Sequence, residues 1–150
     1  MRDLDDVTGA IIHAALQVHR GLGPGLLESV YEAILGGLLS QQGLHVARQH
    51  SMPVDFAGMR FDEGFRVDLL VERCVIVELK SVQRLAPVHG KQLLTYLRLA
   101  DLRVGLLINF GAGTFKEGLH RVVNDLPRSP ASRLRVNQLT SAAGPAAAGP

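Results

Sequence analysis

The sequence is poor in several residue types that particular functions require. It has no Trp and an aromatic content of 5%, which argues against aromatic platforms that stack the bases of single-stranded nucleic acid. Cys74 is the only cysteine, so no intramolecular disulfide can form, and its Val and Ile neighbours are typical of a small buried hydrophobe. No apolar run reaches the roughly 18 residues of a membrane span, and the acidic start is not typical of a signal peptide. We therefore expect a protein of the reducing cytoplasm with no membrane contact.

Basic residues are too evenly balanced by acids for a broad nucleic-acid-binding surface. A length of 150 residues predicts one domain, and a hydrophobic content of 47% is enough for a core. Residues 1–125 contain 13 basic and 14 acidic groups, whereas residues 126–150 contain 3 Arg and no acid. We expect a folded domain over 1–125 and a disordered tail rich in Ala, Gly and Pro over 126–150. Nucleic acid would then be held by a local patch, a metal ion or a partner.

Hydrophobic periodicity predicts a mixture of helices and short strands. Apolar residues at helical spacing predict a first helix with Asp3 as its N-cap, and the Gly- and Pro-rich residues 21–25 end it. Runs of Val, Ile and Leu bounded by polar residues predict buried strands. The expected helices span residues 4–20, 26–42 and 89–100, and the expected strands span 44–55, 59–61, 65–71, 74–80, 104–110 and 119–123.

Charged residues interrupt the two strongest predicted strands. Asp68 lies within one apolar run, and Glu78-Leu79-Lys80 ends the next. Alternation along a strand places Glu78 and Lys80 on one face, and carboxylates at the edge of a buried hairpin are costly without partners. A divalent metal ion suits the two carboxylates, and the lysine suits an anion or a water molecule beside that metal. The alternative is an exposed Glu–Lys ion pair, worth about 0–1 kcal/mol.

The register of this hairpin decides whether Asp68 and Glu78 can bind one metal ion. Directly paired residues on antiparallel strands point to the same face, so the two acids must be paired. That pairing requires an odd number of turn residues, most simply Glu72-Arg73-Cys74. A two-residue turn would place the acids on opposite faces, and neither Glu72 nor Arg73 favours the positive φ angles that it needs. The sequence therefore predicts an odd-membered turn, or a bulge that restores the phase.

Two of the predicted helices carry further polar residues that share a helix face. Glu28 and Tyr31 lie three residues apart on the second helix, and His89, Gln92 and Tyr96 lie on one face of the third. Gln92 could donate a hydrogen bond to a water molecule or a phosphate. The alternatives are stabilisation of a helix N-terminus by Glu28 and ordinary packing by both tyrosines.

Five segments taken in order form a pattern that covers about residues 4–125. They span residues 18–32, 67–69, 77–81, 89–97 and 105–111. These segments resemble the GxxExxY protein family, which is grouped with the PD-(D/E)XK nuclease superfamily, and the motif of the family name corresponds to Gly25, Glu28 and Tyr31. The resemblance implies an α/β fold with a restriction-endonuclease-like core, in which helices flank a central mixed β-sheet. Val67 stands where the superfamily pattern often has a proline.

The resemblance also implies which residues form the site. Asp68, Glu78 and Glu28 would bind Mg²⁺ (or Mn²⁺), with Lys80 beside the metal and Gln92 on the following helix. Three clustered carboxylates repel one another, so at least one should have a raised pKa. Nucleic acid is the expected partner, and phosphodiester cleavage is the expected reaction. The residues expected to support this site are Tyr31, His89 and Tyr96.

Two other classes of function remain open at the level of sequence. The first is a non-catalytic nucleic-acid-binding or protein-binding module that retains the metal site, with a homodimer or a protein partner as its assembly. The second is a structural protein in which the charged residues form a buried ionic network. The nearly neutral residues 1–125 and the small size of the chain favour the first of these alternatives.

Overall fold

The computed structural model describes residues 2–125, and the tail expected at 126–150 lies outside the described residues. The helices and strands follow one another along the chain much as the periodicity predicts. The elements are α1 (Leu4–Leu22), α2 (Glu28–Gln41), β1 (Val46–Phe56), β2 (Met59–Val71), β3 (Val75–Lys80), α3 (Pro87–Ala100), β4 (Val104–Asn109), α4 (Phe115–Gly118) and β5 (Leu119–Val123).

The five strands form one mixed sheet in the order β1-β2-β3-β4-β5. Strands β3 and β4 are parallel, with α3 as their crossover, and the other neighbouring pairs are antiparallel. Both central strands are almost continuously buried, as expected for strands that are covered on both faces. This arrangement confirms the expected α/β fold with a central mixed sheet flanked by helices.

Two apolar clusters cover the two faces of the sheet. On one face, α1 and α2 pack through residues such as Ile11 and Leu35 against Val77 and its neighbours. On the other face, α3 packs through Leu93 against Ile76. Because neighbouring strand residues point to opposite faces, β3 supplies side chains to both clusters. No helix among the described residues is both long and apolar enough to cross a membrane.

The ends of the helices are set by local chemistry that the sequence only partly reveals. As predicted, Asp3 caps α1, because its side chain accepts a hydrogen bond from the Asp6 N–H at 2.8 Å. Helix α2 begins two residues later than predicted. The preceding loop contains Gly23 (φ 70°) and Gly25 (φ 108°), and these left-handed conformations, which glycine adopts readily, keep the chain non-helical as far as Leu27.

The strands predicted at 59–61 and 65–71 are in fact one strand, β2. The polar residues between them suggested a break, but the pairing of β1 with β2 continues after a shift in register between Met52 and Val54. Gly64 allows this irregularity, because a Cβ atom there would lie 2.2 Å from Val54 Cγ2. Helix α4 was not predicted, since four residues are too few for a periodic signal.

The turn between β2 and β3 has the predicted three residues. Val71 pairs with Val75, so Glu72-Arg73-Cys74 forms the turn and the phase of the hairpin is confirmed. The expectation that Glu72 and Arg73 would avoid positive φ is wrong, because they adopt φ values of 51° and 55°. Tertiary hydrogen bonds compensate for this conformation: the Glu72 N–H donates to His45 O at 2.8 Å, and the Glu72 carboxylate accepts from the His45 N–H at 3.0 Å.

Candidate functional site

Asp68 and Glu78 lie where β2 and β3 separate. The last backbone pair toward this end of the hairpin is Leu69 with Val77. Beyond it, hydrogen bonds from the two carboxylates to backbone N–H groups take the place of backbone–backbone hydrogen bonds between β2 and β3. Glu78 Oε1 accepts a hydrogen bond from the Asp68 N–H at 3.2 Å, and Asp68 Oδ2 accepts one from the Leu79 N–H at 2.8 Å. Each acid therefore satisfies an N–H that the divergence of the strands would otherwise leave without a partner.

This arrangement places two carboxylates side by side in a partly buried position. Glu78 is only 9% exposed, and its pKa is raised to about 8, first by burial and then by the negative charge of Asp68. The Asp68 N–H and the positive charge of Lys80 oppose the shift without cancelling it. The expectation that a carboxylate of this group has a raised pKa is confirmed. A divalent cation would neutralise this repulsion, and carboxylate oxygens are the ligands that Mg²⁺ prefers.

Lys80 and Glu28 are both positioned at the end of β3. Lys80 is the last residue of β3 and pairs with Asn109 of β4. Glu28 is the first residue of α2, and its Oε1 accepts a hydrogen bond from the Ser81 N–H at 3.3 Å. Within residues 2–125, no three His, Cys, Asp or Glu side chains are close enough to hold a metal ion together. The structure therefore brings Asp68 and Glu78 together. Glu28 is bound to Ser81 and does not form the expected three-carboxylate cluster with them.

Tyr31 holds the loop from which Glu28 emerges. Its ring is fully buried and stacks on Phe110, with centroids 4.4 Å apart and an interplanar angle of 5°. Its hydroxyl donates to Gly23 O at 2.5 Å and accepts from the Leu26 N–H at 3.2 Å. Because both ends of the loop are tied to one side chain, Tyr31 fixes the start of α2. This geometry matches packing with hydrogen bonds, the alternative weighed for Tyr31.

Helix α3 carries the remaining predicted residues, Tyr96, His89 and Gln92. Tyr96 stacks on Phe65 with centroids 4.4 Å apart. Its pKa is raised by burial and by the charges of Glu78 and Asp68, which places its hydroxyl within their field. His89 instead caps the helix, since its Nδ1 accepts a hydrogen bond from the Ala86 N–H at 3.1 Å. The last of the predicted residues, Gln92, is exposed on α3 one turn before Tyr96.

Three residues that the sequence did not reveal also reach the site. Glu32 of α2 is buried and forms an ion pair with Arg48, whose Nη2 lies 3.0 Å from Glu32 Oε2. Gln49 lies between Glu32 and Asp68 and donates hydrogen bonds to both. Glu32 gave a weak signal, as an acid one turn after Glu28 in an apolar helix. Arg48 and Gln49 gave no signal in a weakly patterned strand.

Comparison with known proteins agrees with this architecture. The profile of the PD-(D/E)XK nuclease superfamily matches residues 5–122, which contain all five strands except the last residue of β5. No curated protein and no solved structure matches the chain. The narrower likeness to GxxExxY proteins stays a prediction. Since the matched region covers most of its length, the chain belongs to the PD-(D/E)XK nuclease superfamily.

Proposed function

We propose that the chain is a metal-dependent nuclease that hydrolyses phosphodiester bonds of nucleic acid. The observation that carries this proposal is the adjacency of the Asp68 and Glu78 carboxylates in the gap between β2 and β3. Two acids held together in a partly buried position are costly in a metal-free protein, because their negative charges repel each other. A divalent cation bound between them would neutralise the two negative charges and offset this cost.

The donor atoms of this gap fit Mg²⁺ or Mn²⁺. Asp68 and Glu78 would hold the ion, since both offer hard carboxylate oxygens, and Glu28 would support it from the adjacent helix terminus. When bound, the ion would supply positive charge that polarises the phosphodiester and acidifies a water molecule. Divalent metals are in general use among PD-(D/E)XK nucleases, but the choice between Mg²⁺ and Mn²⁺ belongs to this proposal.

The protein's own polar groups would act on the substrate around this centre. Lys80 would orient the attacking water or stabilise the negative charge that develops on the phosphate. Gln92 and Tyr96 lie one turn apart on α3, so their polar groups would donate hydrogen bonds to phosphate oxygens of the bound substrate. Each of these groups acts at short range, and none requires a broad basic surface.

A cleft beside the end of β4 offers room for the rest of the substrate strand. It has a volume of about 590 Å³ and is lined by Arg84 and His120 together with Asn109, the residue that pairs with Lys80. Nucleic acid that crosses the ends of β3 and β4 would reach both Lys80 and this cleft. Arg84 would then contact a flanking phosphate, which supplies affinity without sequence preference.

The proposal is tested by incubating the protein with single-stranded, duplex and branched DNA and with RNA, in Mg²⁺, Mn²⁺ or EDTA. We expect cleavage only with a divalent metal, and loss of at least 100-fold in Asp68→Asn and Lys80→Met, because both act at the reacting centre. Circular dichroism should show that both variants remain folded. Cleavage that survives in both variants would place the activity elsewhere and contradict the proposal.

The second candidate is a module that binds nucleic acid or protein without turnover. The nearly equal numbers of acidic and basic residues in 1–125 favour it, because nucleases that act alone gain affinity from positive charge. Such a module would bind Mn²⁺ and a nucleic acid or protein partner but would leave every substrate intact. The same incubation, followed by a binding measurement on the uncleaved substrates, separates the two candidates.

A further inference from the structure

A buried acid next to the site has no role in the proposed chemistry. The side chain of Glu32 is only 6% exposed, so its charge requires compensation. Arg48 supplies it: Nε and Nη2 of Arg48 lie 3.3 and 3.0 Å from Glu32 Oε2. The second carboxylate oxygen, Oε1, is left to another donor. The direction in which that oxygen points is therefore fixed by the ion pair behind it.

That donor is Gln49, which connects Glu32 to the candidate metal ligand Asp68. Gln49 Nε2 lies 2.5 Å from Glu32 Oε1 and 3.2 Å from Asp68 Oδ1. A side-chain amide nitrogen carries two hydrogens, and these two carboxylates account for both. Gln49 has a φ of 47°, a left-handed conformation that is uncommon for residues with a Cβ. The strand thus departs from regular geometry where the amide bridges the two acids.

The bridge completes the immobilisation of Asp68. Its Oδ2 is held by the Leu79 N–H at 2.8 Å, and its Oδ1 is held by Gln49. With one donor on each oxygen, the carboxylate is held in one orientation. Ordering the ligand before a metal arrives lowers the entropic cost of binding, and partners of metal ligands commonly set both orientation and affinity.

We propose that Glu32 and Gln49 are positioning residues that orient the Asp68 carboxylate for metal binding, with Arg48 holding Glu32 in place. This inference rests on the proposed metal site at Asp68 and Glu78. It also assigns helix α2 two connections to the sheet. Glu28 bonds to the Ser81 N–H after β3, and Glu32, one turn later, bonds through Gln49 to Asp68 of β2.

The test uses Gln49→Gly, which removes the amide and suits the backbone, since glycine adopts positive φ without steric cost. Ala57→Gly is the matched control, because Ala57 also has a positive φ, 51°, and lies in the β1–β2 turn away from the site. Calorimetric titration with Mn²⁺ measures the Kd of each full-length variant. We expect Gln49→Gly to weaken binding about tenfold or more and Ala57→Gly to keep the wild-type Kd.

A second variant shows whether Glu32 acts through Gln49. Glu32→Gln should weaken Mn²⁺ binding in the wild-type background but add no further loss when combined with Gln49→Gly, since coupled residues are not additive. A residue that only stabilises the fold leaves the Kd of a folded protein unchanged, so the Kd separates positioning from stability. Unfolding in urea confirms that each variant is folded at the titration temperature.

The outcomes distinguish this inference from the proposed function. A wild-type Kd in Gln49→Gly, or fully additive losses in the double variant, would overturn the positioning role and leave the metal site standing. Failure of the wild-type protein to bind Mn²⁺ would overturn both. A loss in Gln49→Gly that is absent from Ala57→Gly, together with no added effect of Glu32→Gln, is the result that the geometry of Gln49 predicts.

Discussion

Replacing Glu78 with Gln should change how the stability of the metal-free protein depends on pH. Glu78 is 9% exposed and has a folded pKa of about 8 against 4.5 for the free group. The folded protein therefore binds the proton more tightly than the unfolded chain does. The stability that this group contributes is fully present below pH 4.5 and is lost as the pH rises through 8. Glu78→Gln keeps the shape of the side chain and removes this titration.

The size of the effect follows from the pKa difference. A single group changes the free energy of unfolding by at most about 1.4 kcal/mol for each pH unit inside its window. Between pH 4.5 and about 8, the wild-type protein should lose on the order of a few kcal/mol relative to Glu78→Gln. That is a large share of the roughly 5–15 kcal/mol that stabilises a typical domain.

Urea unfolding in EDTA at five pH values between 5 and 9 measures the difference between the two proteins. Contributions from histidines and other groups remote from Glu78 are common to both proteins and cancel in the difference. We expect the wild-type protein to become progressively less stable than Glu78→Gln as the pH rises. In a second series, Mg²⁺ replaces EDTA. Because Mg²⁺ competes with the proton for the carboxylates, it should stabilise the wild-type protein more at pH 8 than at pH 5. A difference that stays constant from pH 5 to 9 would refute the reasoning.

Three further substitutions test how the site is supported. Tyr31→Phe should cost about 1–3 kcal/mol in urea unfolding, because the Leu26 N–H loses its acceptor while the ring keeps its stack; an unchanged midpoint would contradict the role of the hydroxyl. Gly111→Ala should destabilise the protein by about 1–3 kcal/mol and reduce cleavage, since the added Cβ would lie 2.3 Å from Val82 O. The control is Gly113→Ala, whose Cβ would lie 3.5 Å from its nearest neighbour; it should change neither stability nor cleavage. Arg84→Ala should weaken binding of uncleaved DNA in EDTA and lower the slope of log K against log salt concentration by about 1. Arg73→Ala, in the β2–β3 turn, should change neither quantity. Equal losses in both variants would show that the cleft does not lie on the substrate path.

The phase of the central hairpin could be predicted from sequence, because strand geometry leaves only two choices. Asp68 and Glu78 face each other only across an odd-membered turn, and the structure has one. The additional argument from turn conformation is wrong, since Glu72 and Arg73 adopt the positive φ angles that they were expected to avoid. Contacts with His45, 27 residues away in sequence, stabilise that conformation. Periodicity carries no information about such a partner.

The support around the two acids could not be predicted for a similar reason. Gln49 contacts Glu32 and Asp68, which are 17 and 19 residues away in sequence, and its backbone conformation is set by that packing. The strands expected at 59–61 and 65–71 are one strand, because Gly64 accommodates the shift in register between β1 and β2. Local patterns therefore predicted that Asp68 and Glu78 lie together, and tertiary contacts determine how the two carboxylates are held.

A crystal of the wild-type protein soaked in Mn²⁺ tests the central claim most directly. Mn²⁺ can be located from its anomalous scattering, independently of any assay of cleavage. We predict a peak between the Asp68 and Glu78 carboxylates, within about 2.0–2.4 Å of an oxygen from each, and no peak there in a soaked crystal of Asp68→Asn. A wild-type crystal with Mn²⁺ bound only elsewhere, and the gap between β2 and β3 free of metal, would contradict the claim.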